Sequence, residues 1–285
     1  MNLSGHTQPF AVLGHPIGHT LSPVMHNASI ASLGLDAIYL AFDVPPDRLM
    51  DVLPAMQAMG FGGVNLTVPL KEVAFAALSD LDDSARLLGA VNTVAFHETG
   101  MRGYNTDGEG FLRATEEAFG PCIAGATVFV VGTGGAGRAV ALMCAQAGAA
   151  DVLLSDIDDQ RSERVAEEIL EHTNGVAVRC IGAADQVEAC RTADLVVQST
   201  PVGMNPDDPA LLPPEAFAPH QKAFDLIYMY PETPFLRAAK EGGAAIANGL
   251  GMLLHQGAKA FQIWTGQEPD VAAMRAALEE AVYGS

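Results

Sequence analysis

The chain runs to 285 residues, 49% apolar and 17% charged, which is long enough for two domains, apolar enough to bury their cores, and excludes a disordered chain. With 34 acidic against 15 basic residues the formal net charge is −19, and no cluster of Lys or Arg interrupts that field, so a nucleic acid is excluded as a partner. The first seven residues lack the basic and apolar regions of a signal peptide, and nowhere do about 18 apolar residues run together, so the chain is expected in the cytoplasm without membrane contact.

In chain order, residues 10–14 read as a strand, 22–33 as a helix, 37–43 as a strand and 46–59 as a helix, because short apolar runs alternate with amphipathic stretches. Residues 62–66 form another strand, a short helix starts at Leu70, and 91–97 with 101–104 make a hairpin turning at Glu98, Thr99 and Gly100. Residues 108–119 read as a connecting helix, after which Gly120 and Pro121 punctuate the chain. A second alternating series follows, with strands at 127–131, 152–155, 176–181, 195–199, 223–227 and 244–247 and helices at 135–147 and 160–172. Strands spaced by helices of this length imply a parallel sheet covered on both faces. Two terminal helices, 252–264 and 271–282, are split by Gly266 and Pro269 with no strand after them; they are expected to pack back on the first unit.

The strand ending at Val131 runs into Gly132-Thr133-Gly134-Gly135-Ala136-Gly137, which opens an alanine-rich helix. In that context Gly132 permits a tight turn, Gly134 lets the backbone approach a pyrophosphate, and Gly137 allows close helix-to-strand packing. The helix N-terminus offers unpaired N–H groups and a positive dipole end to phosphates. The next strand ends at Asp156, 24 residues after Gly132, where a carboxylate hydrogen-bonds the adenosine ribose and repels a 2′-phosphate. Asp158 and Asp159 add negative charge, and only Arg138 and Arg161 stand near enough in sequence to offset it. NAD is therefore the expected cofactor, with NADP the alternative. A plainer reading makes these aspartates caps of the following helix, which suits Asp158 or Asp159 better than Asp156. The expected fold class is α/β: a Rossmann-type doubly wound parallel sheet in residues 111–250, and a separate α/β substrate-binding catalytic domain in residues 1–110 completed by C-terminal helices in 251–285.

Polar residues cluster at strand ends of the first unit: His19-Thr20-Leu21-Ser22-Pro23, then Asn65-Leu66-Thr67-Val68-Pro69-Leu70-Lys71, then Asn92 with Asp107. Ligands of open α/β sheets bind beyond the carboxyl ends of strands, so the three clusters can converge on one mouth. Lys71 is the residue type to exchange the proton of a secondary alcohol while hydride moves to or from a nicotinamide; its plain alternative is a solvated lysine opening a helix. Ser22 also suits a helix N-cap with Pro23 just inside, Asn65 and Asn92 suit turns, and Asp107 suits a cap. His15, His19 and His26 lack metal-ligand spacing, and Cys122, Cys144, Cys180 and Cys190 lack CxxC pairing. No metal site is expected, and the thiols are expected to be reduced.

Taken together these motifs resemble the shikimate dehydrogenase family, including its quinate/shikimate branch, over essentially the whole chain. The resemblance is carried by the run from Gly14 to Asn27, by Gly89-Ala90-Val91-Asn92-Thr93, by Asn105-Thr106-Asp107-Gly108, and by the run from Gly249 to Gln256. It implies an enzyme that reversibly reduces 3-dehydroshikimate to shikimate with NAD(P), a step of the chorismate pathway to aromatic amino acids. It also implies that Thr20 and Ser22 hold the substrate carboxylate, that Asn65, Asn92, Asp107 and Gln256 contact ring hydroxyls, and that Thr67 and Tyr228 help position the acid. Lys71 would transfer the proton beside Asp107. The fingerprint, the spacing of Asp156 and the resemblance together assign to the cofactor Gly132, Gly134, Gly135, Ala136, Gly137, Asp156, Thr200, Gly203, Met204, Ile227 and Gly249.

This sequence departs from the family pattern in four places. Thr20 stands where serine is commoner, adding a methyl to the carboxylate pocket. Leu66 replaces valine, and Gln198 replaces an asparagine ahead of the Thr200 to Met204 loop. Ser155-Asp156-Ile157 replaces the Asn-Arg-Thr that grips a 2′-phosphate in NADP-dependent members. Three other readings compete: an NAD-dependent quinate/shikimate dehydrogenase of quinate catabolism, a non-catalytic regulator that senses shikimate or quinate, and another two-domain dehydrogenase such as a methylenetetrahydrofolate enzyme. Retention of Lys71, Asp107 and the glycine motif opposes the regulator, and the Thr20 and Ser22 hydroxyls oppose a folate. Monomer and homodimer are both compatible with the sequence.

Overall fold

The computed structural model describes residues 3–284 and divides into two compact units, Met1–Gly110 with Leu254–Ser285, and Phe111–Leu253. In the first unit β1 (Gln8–Gly14), β2 (Ala37–Asp43), β3 (Gly63–Leu66), β4 (Thr93–His97) and β5 (Gly100–Tyr104) form a sheet in the order β2-β1-β3-β4-β5. β1 pairs in parallel with β2 and β3, and the hairpin β4–β5 adds antiparallel strands beyond β3.

Successive side chains of β1 point to opposite faces, as the two-residue strand period requires. Ala11 and Leu13 meet Leu49, Leu53 and Met56 of α2 (Leu49–Ala58) and Leu70 and Ala74 of α3 (Leu70–Ala77). Phe10 and Val12 meet Tyr39 and Ile30 of α1 (Ser22–Ser32). A short helix, α4 (Asp83–Leu88), is capped by Asp82, whose carboxylate accepts from Ser84 N. α5 (Asp107–Phe119) then leads into the second unit.

That unit has six parallel strands: β6 (Thr127–Val131), β7 (Asp151–Ser155), β8 (Ala177–Cys180), β9 (Leu195–Gln198), β10 (Lys222–Asp225) and β11 (Ala245–Asn248), in the order β11-β10-β9-β6-β7-β8. Strands buried on both faces read as continuous apolar runs rather than alternations, as do Val128, Phe129 and Val130 in β6 and Leu195, Val196 and Val197 in β9, all with no measurable exposure. The crossovers are α6 (Gly135–Gln146), α7 (Asp159–His172), α8 (Gln186–Thr192) and α9 (Pro234–Glu241). The order reverses between β6 and β9, the topological switch point at which doubly wound sheets take ligands.

α10 (Leu250–Thr265) and α11 (Val271–Tyr283) close the chain. From Leu254 onward they belong to the first unit, where Phe261 joins the core of Phe10, Val12 and Tyr39. Trp264 stacks on Phe10 and donates its indole N–H to Val94 O at 3.0 Å. Its ring lies across Gly63, where any Cβ would overlap the indole. Ser29 of α1 accepts from Asp270 N at 2.9 Å, tying down the start of α11.

Most elements fall within a residue or two of the sequence-based expectation. Three have no counterpart in it: α4, α8 and α9. At six to eight residues each spans about two turns, too few for a 3.6-residue period to repeat visibly.

Candidate active site

In the first unit the turn after β3 delivers Lys71 in the first turn of α3, and α5 begins at Asp107. Lys71 Nζ donates to Asp107 Oδ2 at 2.6 Å, their side chains 28% and 19% exposed, so the lysine is not the solvated one of the plain alternative. The other Asp107 oxygen accepts from Asn92 Nδ2 at 2.9 Å. Asn92 is itself held on both sides: its amide also donates to Thr106 Oγ1 at 2.9 Å, and its Oδ1 accepts from Thr106 N at 2.8 Å and Thr93 Oγ1 at 2.9 Å. Asn65, on β3, donates to Asn92 O at 3.1 Å and to Thr93 Oγ1 at 2.9 Å. Lys71, Asp107, Asn92 and Asn65 therefore form one connected network.

Thr20 and Ser22 sit as a hydroxyl pair with their Oγ atoms 3.3 Å apart. Ser22 does not cap α1: the cap position is Leu21, whose side chain makes no cap bond, and Thr20 Oγ1 accepts from Ser22 N at 3.3 Å. Thr67 is fixed by its backbone, donating to Leu13 O at 2.9 Å and accepting from Leu70 N at 2.8 Å. Gln256 lies on α10 within this unit. His26 is fully buried with its ring 4.2 Å from that of Tyr39 and nearly parallel to it. Burial pushes its pKa down to about 3, so the imidazole is neutral. His15 pairs with Asp43 at the exposed end of β2.

In the second unit the loops leaving β6 and β9 meet at the switch point. Gly132 adopts a φ of +93°, and the side chains of Ser199 and Thr200 fill the space a Cβ would take there. A Cβ on Gly137 would overlap the Gly132 carbonyl, so the first turn of α6 lies hard against the end of β6. Ser199 Oγ donates to Gly132 O at 2.6 Å, pinning that turn. No side chain caps α6 at Gly134, and the space beside Gly134 and Gly135 is open. The N–H groups of Gly135 and Ala136 can thus receive a phosphate, and the cradle fits a dinucleotide.

Asp156, at the end of β7, is almost buried. Burial pushes its pKa up, but hydrogen bonds from Thr133 N, Asp158 N and Thr133 Oγ1, with the Arg161 guanidinium 3.5 Å away, outweigh that and leave it below the usual carboxylate range. It is a fixed negative charge. Asp158 occupies the cap position of α7 without bonding the helix through its side chain. Ile157 beside it is fully exposed, and Arg138 makes a two-point ion pair with Glu168.

Gln198 fills its position completely, accepting from Thr200 N and donating to Thr200 O at 3.2 Å and Val202 O at 2.7 Å, which shapes the loop carrying Thr200, Gly203 and the exposed Met204. Gly249 N donates to Ile227 O at 3.1 Å, placing those two candidates side by side. Tyr228 follows in the same segment, its phenol pKa raised by burial. Asp225 anchors this segment by accepting from Ile227 N at 3.0 Å and Thr233 Oγ1 at 2.5 Å. Burial raises its pKa to about 6 against those bonds.

Sequence reasoning missed Tyr39, Thr93, Thr106, Ser199 and Asp225. Thr106 and Thr93 lay inside motifs already singled out. Tyr39 carried one signal, an aromatic at an inward-facing position of β2. Among the described residues no group of His, Cys, Asp or Glu could hold a metal ion, and no helix is long and apolar enough to cross a membrane. The four cysteines are free.

Known proteins supply an independent comparison. Residues 12–94 match the family described as "Shikimate dehydrogenase substrate binding domain", and residues 249–279 match "Shikimate 5'-dehydrogenase C-terminal domain". The chain is 43% identical to the shikimate dehydrogenase (NADP(+)) of Methanopyrus kandleri across 98% of each chain. Among solved structures, a shikimate 5-dehydrogenase of Listeria monocytogenes in complex with shikimate and NAD superposes with a TM-score of 0.91 at 36% identity, covering 98% of both chains. The Thermus thermophilus shikimate 5-dehydrogenase in complex with NADP(H) and shikimate gives 0.85 at 41% identity, covering 96% of this chain and 99% of that one.

Proposed function

The chain belongs to the shikimate dehydrogenase family, and from that premise we propose how its residues divide the work of reversible, NAD(P)-dependent reduction of 3-dehydroshikimate to shikimate. The quinate-catabolic and regulator readings are not favoured, since relatives covering nearly the whole chain are shikimate dehydrogenases. The reaction belongs to the route to aromatic amino acids.

The observation that carries the residue assignment is the Lys71, Asp107 and Asn92 network. Reducing a ketone leaves an alkoxide that needs a proton, and the reverse reaction releases one. Lys71 Nζ gives and takes that proton. Asp107 Oδ2 holds the amine, and Asn92 holds Asp107 by its other oxygen, so the amine presents a fixed direction to the substrate. Asn65, Asn92, Asp107 and Gln256 receive the ring hydroxyls, with Thr67 and Tyr228 positioning the acid. Thr20 and Ser22 bind the carboxylate with two hydroxyl donors. Bound nicotinamide supplies or accepts the hydride.

Residues of the second unit, Gly132, Gly134, Gly135, Ala136, Gly137, Asp156, Thr200, Gly203, Met204, Ile227 and Gly249, hold the dinucleotide. Within NAD(P), we favour NAD. What supports this is an ionised Asp156 carboxylate that would repel a 2′-phosphate, an uncharged Ile157 beside it, and an Arg138 engaged by Glu168. Homodimer and monomer fit this reading equally.

The test is oxidation of shikimate and of quinate by the purified chain, each with NAD and with NADP. Shikimate with NAD should give the highest kcat/KM. Absence of shikimate turnover with either cofactor would overturn the function, and a preference for NADP would overturn the cofactor choice alone.

A further inference from the structure

Tyr39 reaches into the network without belonging to any motif. It is 1% exposed, and its hydroxyl donates to Asn65 Oδ1 at 2.7 Å. The donor assignment is forced. Asn65 Nδ2 faces the Asn92 carbonyl, which can only accept. The Asn65 oxygen must therefore face Tyr39, and the phenol must give its proton. Burial raises the phenol pKa well above its ordinary value, so that proton stays in place at any working pH.

Three constraints hold Tyr39 still. Its backbone N and O are both engaged by the Asn27 side chain, at 2.9 and 2.8 Å. One face of its ring lies on His26 with planes 8° apart. Trp264 crosses nearby at 6.1 Å. Such a lock exceeds what a merely space-filling aromatic needs.

Building on the proposed function, we propose that Tyr39 is a positioning residue for substrate: its hydroxyl fixes Asn65, the amide that takes a ring hydroxyl. Both Asn65 N–H groups are committed, to Asn92 O and Thr93 Oγ1, and one lone pair of its oxygen is taken by Tyr39. A single acceptor site is left. Asn65 therefore selects a substrate that offers a hydroxyl proton at that point.

The test is a double-mutant cycle of Tyr39→Phe with Asn65→Ala, read by the KM for shikimate, kcat and the KM for NAD. Removing one hydroxyl should raise the shikimate KM about 5- to 10-fold, the size expected for one hydrogen bond. kcat and the NAD KM should stay near the parent values. In the Asn65→Ala background Tyr39→Phe should add no further rise, because the phenol acts through Asn65. A parent-like shikimate KM in Tyr39→Phe, or an equal rise in both backgrounds, would overturn the proposal. Should Tyr39→Phe not fold, His26→Leu takes its place in the same cycle, since it keeps the phenol but removes the flat face behind it. A KM rise confined to the Asn65 background then supports the proposal, and a parent-like KM or an equal rise in both backgrounds overturns it. A parent chain that fails to oxidise shikimate would instead sink the proposed function, and Tyr39's role with it.

Discussion

The candidate sites of the two units are built of different material. In the first, side chains do the work: a lysine, a carboxylate, two amides and a run of hydroxyls, each oriented by the next. In the second, backbone does it: a glycine turn packed so closely that Gly137 has no room for a Cβ, ahead of an uncapped helix. A side-chain site is damaged by removing atoms, and a backbone site by adding them. The units differ also in one buried titratable group each. The first hides a neutral imidazole, His26, and the second a carboxylate, Asp225, so acid and base press on them in opposite directions.

The largest effect that would separate the two comes from Gly137→Val. Overpacking against a fixed carbonyl costs about 1–3 kcal/mol or more, and each 1.4 kcal/mol is about tenfold, so the dissociation constant for NAD should rise about 100-fold. Shikimate binding, followed by calorimetry, should survive. Unchanged NAD affinity would show that the close packing of α6 against the Gly132 turn at Gly137 is not what shapes the cofactor cradle.

Next in size is the pH dependence of stability, read unit by unit from amide hydrogen exchange. The native pKa of His26, about 3, lies below its unfolded value of about 6.5, so the unfolded chain binds the proton first. First-unit stability is full above about pH 6.5 and falls as pH drops toward 3, by up to about 5 kcal/mol. Asp225 has its native pKa raised to about 6 from about 3.8. Its contribution is full below pH 3.8 and is lost as pH rises through 6, by up to about 3 kcal/mol. Asp225→Asn should flatten the second unit's profile across that window and leave the first unit's unchanged. Parallel profiles in both units would break the contrast.

A smaller effect belongs to Asp82, which caps α4 through Ser84 N and pairs with Arg102 at 3.2 Å. Asp82→Ala should destabilise the first unit by about 1 kcal/mol in thermal unfolding, with kcat unaffected. No loss of stability would mean that the α4 cap contributes nothing.

Much of this was legible in the sequence, for reasons that differ by residue. β6 and β9 announced themselves as unbroken apolar runs, and Gly132 to Gly137 could be placed because strand, glycines and helix follow one another directly. Lys71, Asn92 and Asp107 stood in motifs at strand ends. Tyr39 did not, since its partner Asn65 lies 26 residues away and a bond between distant positions leaves no local pattern. α9 was missed although Thr233 caps it and Pro234 opens it, a start signal that the short helix after it was too brief to reinforce. The Ser22 capping alternative was chemically sound and lost because the helix begins at Ser22 itself. Asp156 was singled out by its spacing, but the Thr133 bonds that keep it ionised appear only once the two loops are brought together.

The account turns on the proton at Lys71 Nζ, and one measurement addresses it directly: turnover of shikimate at saturating NAD by Lys71→Ala, with both dissociation constants measured alongside. The predicted result is a fall in kcat of about 10²- to 10⁴-fold with shikimate and NAD still bound at near-parental affinity. A variant that oxidises shikimate at the parent rate would contradict it.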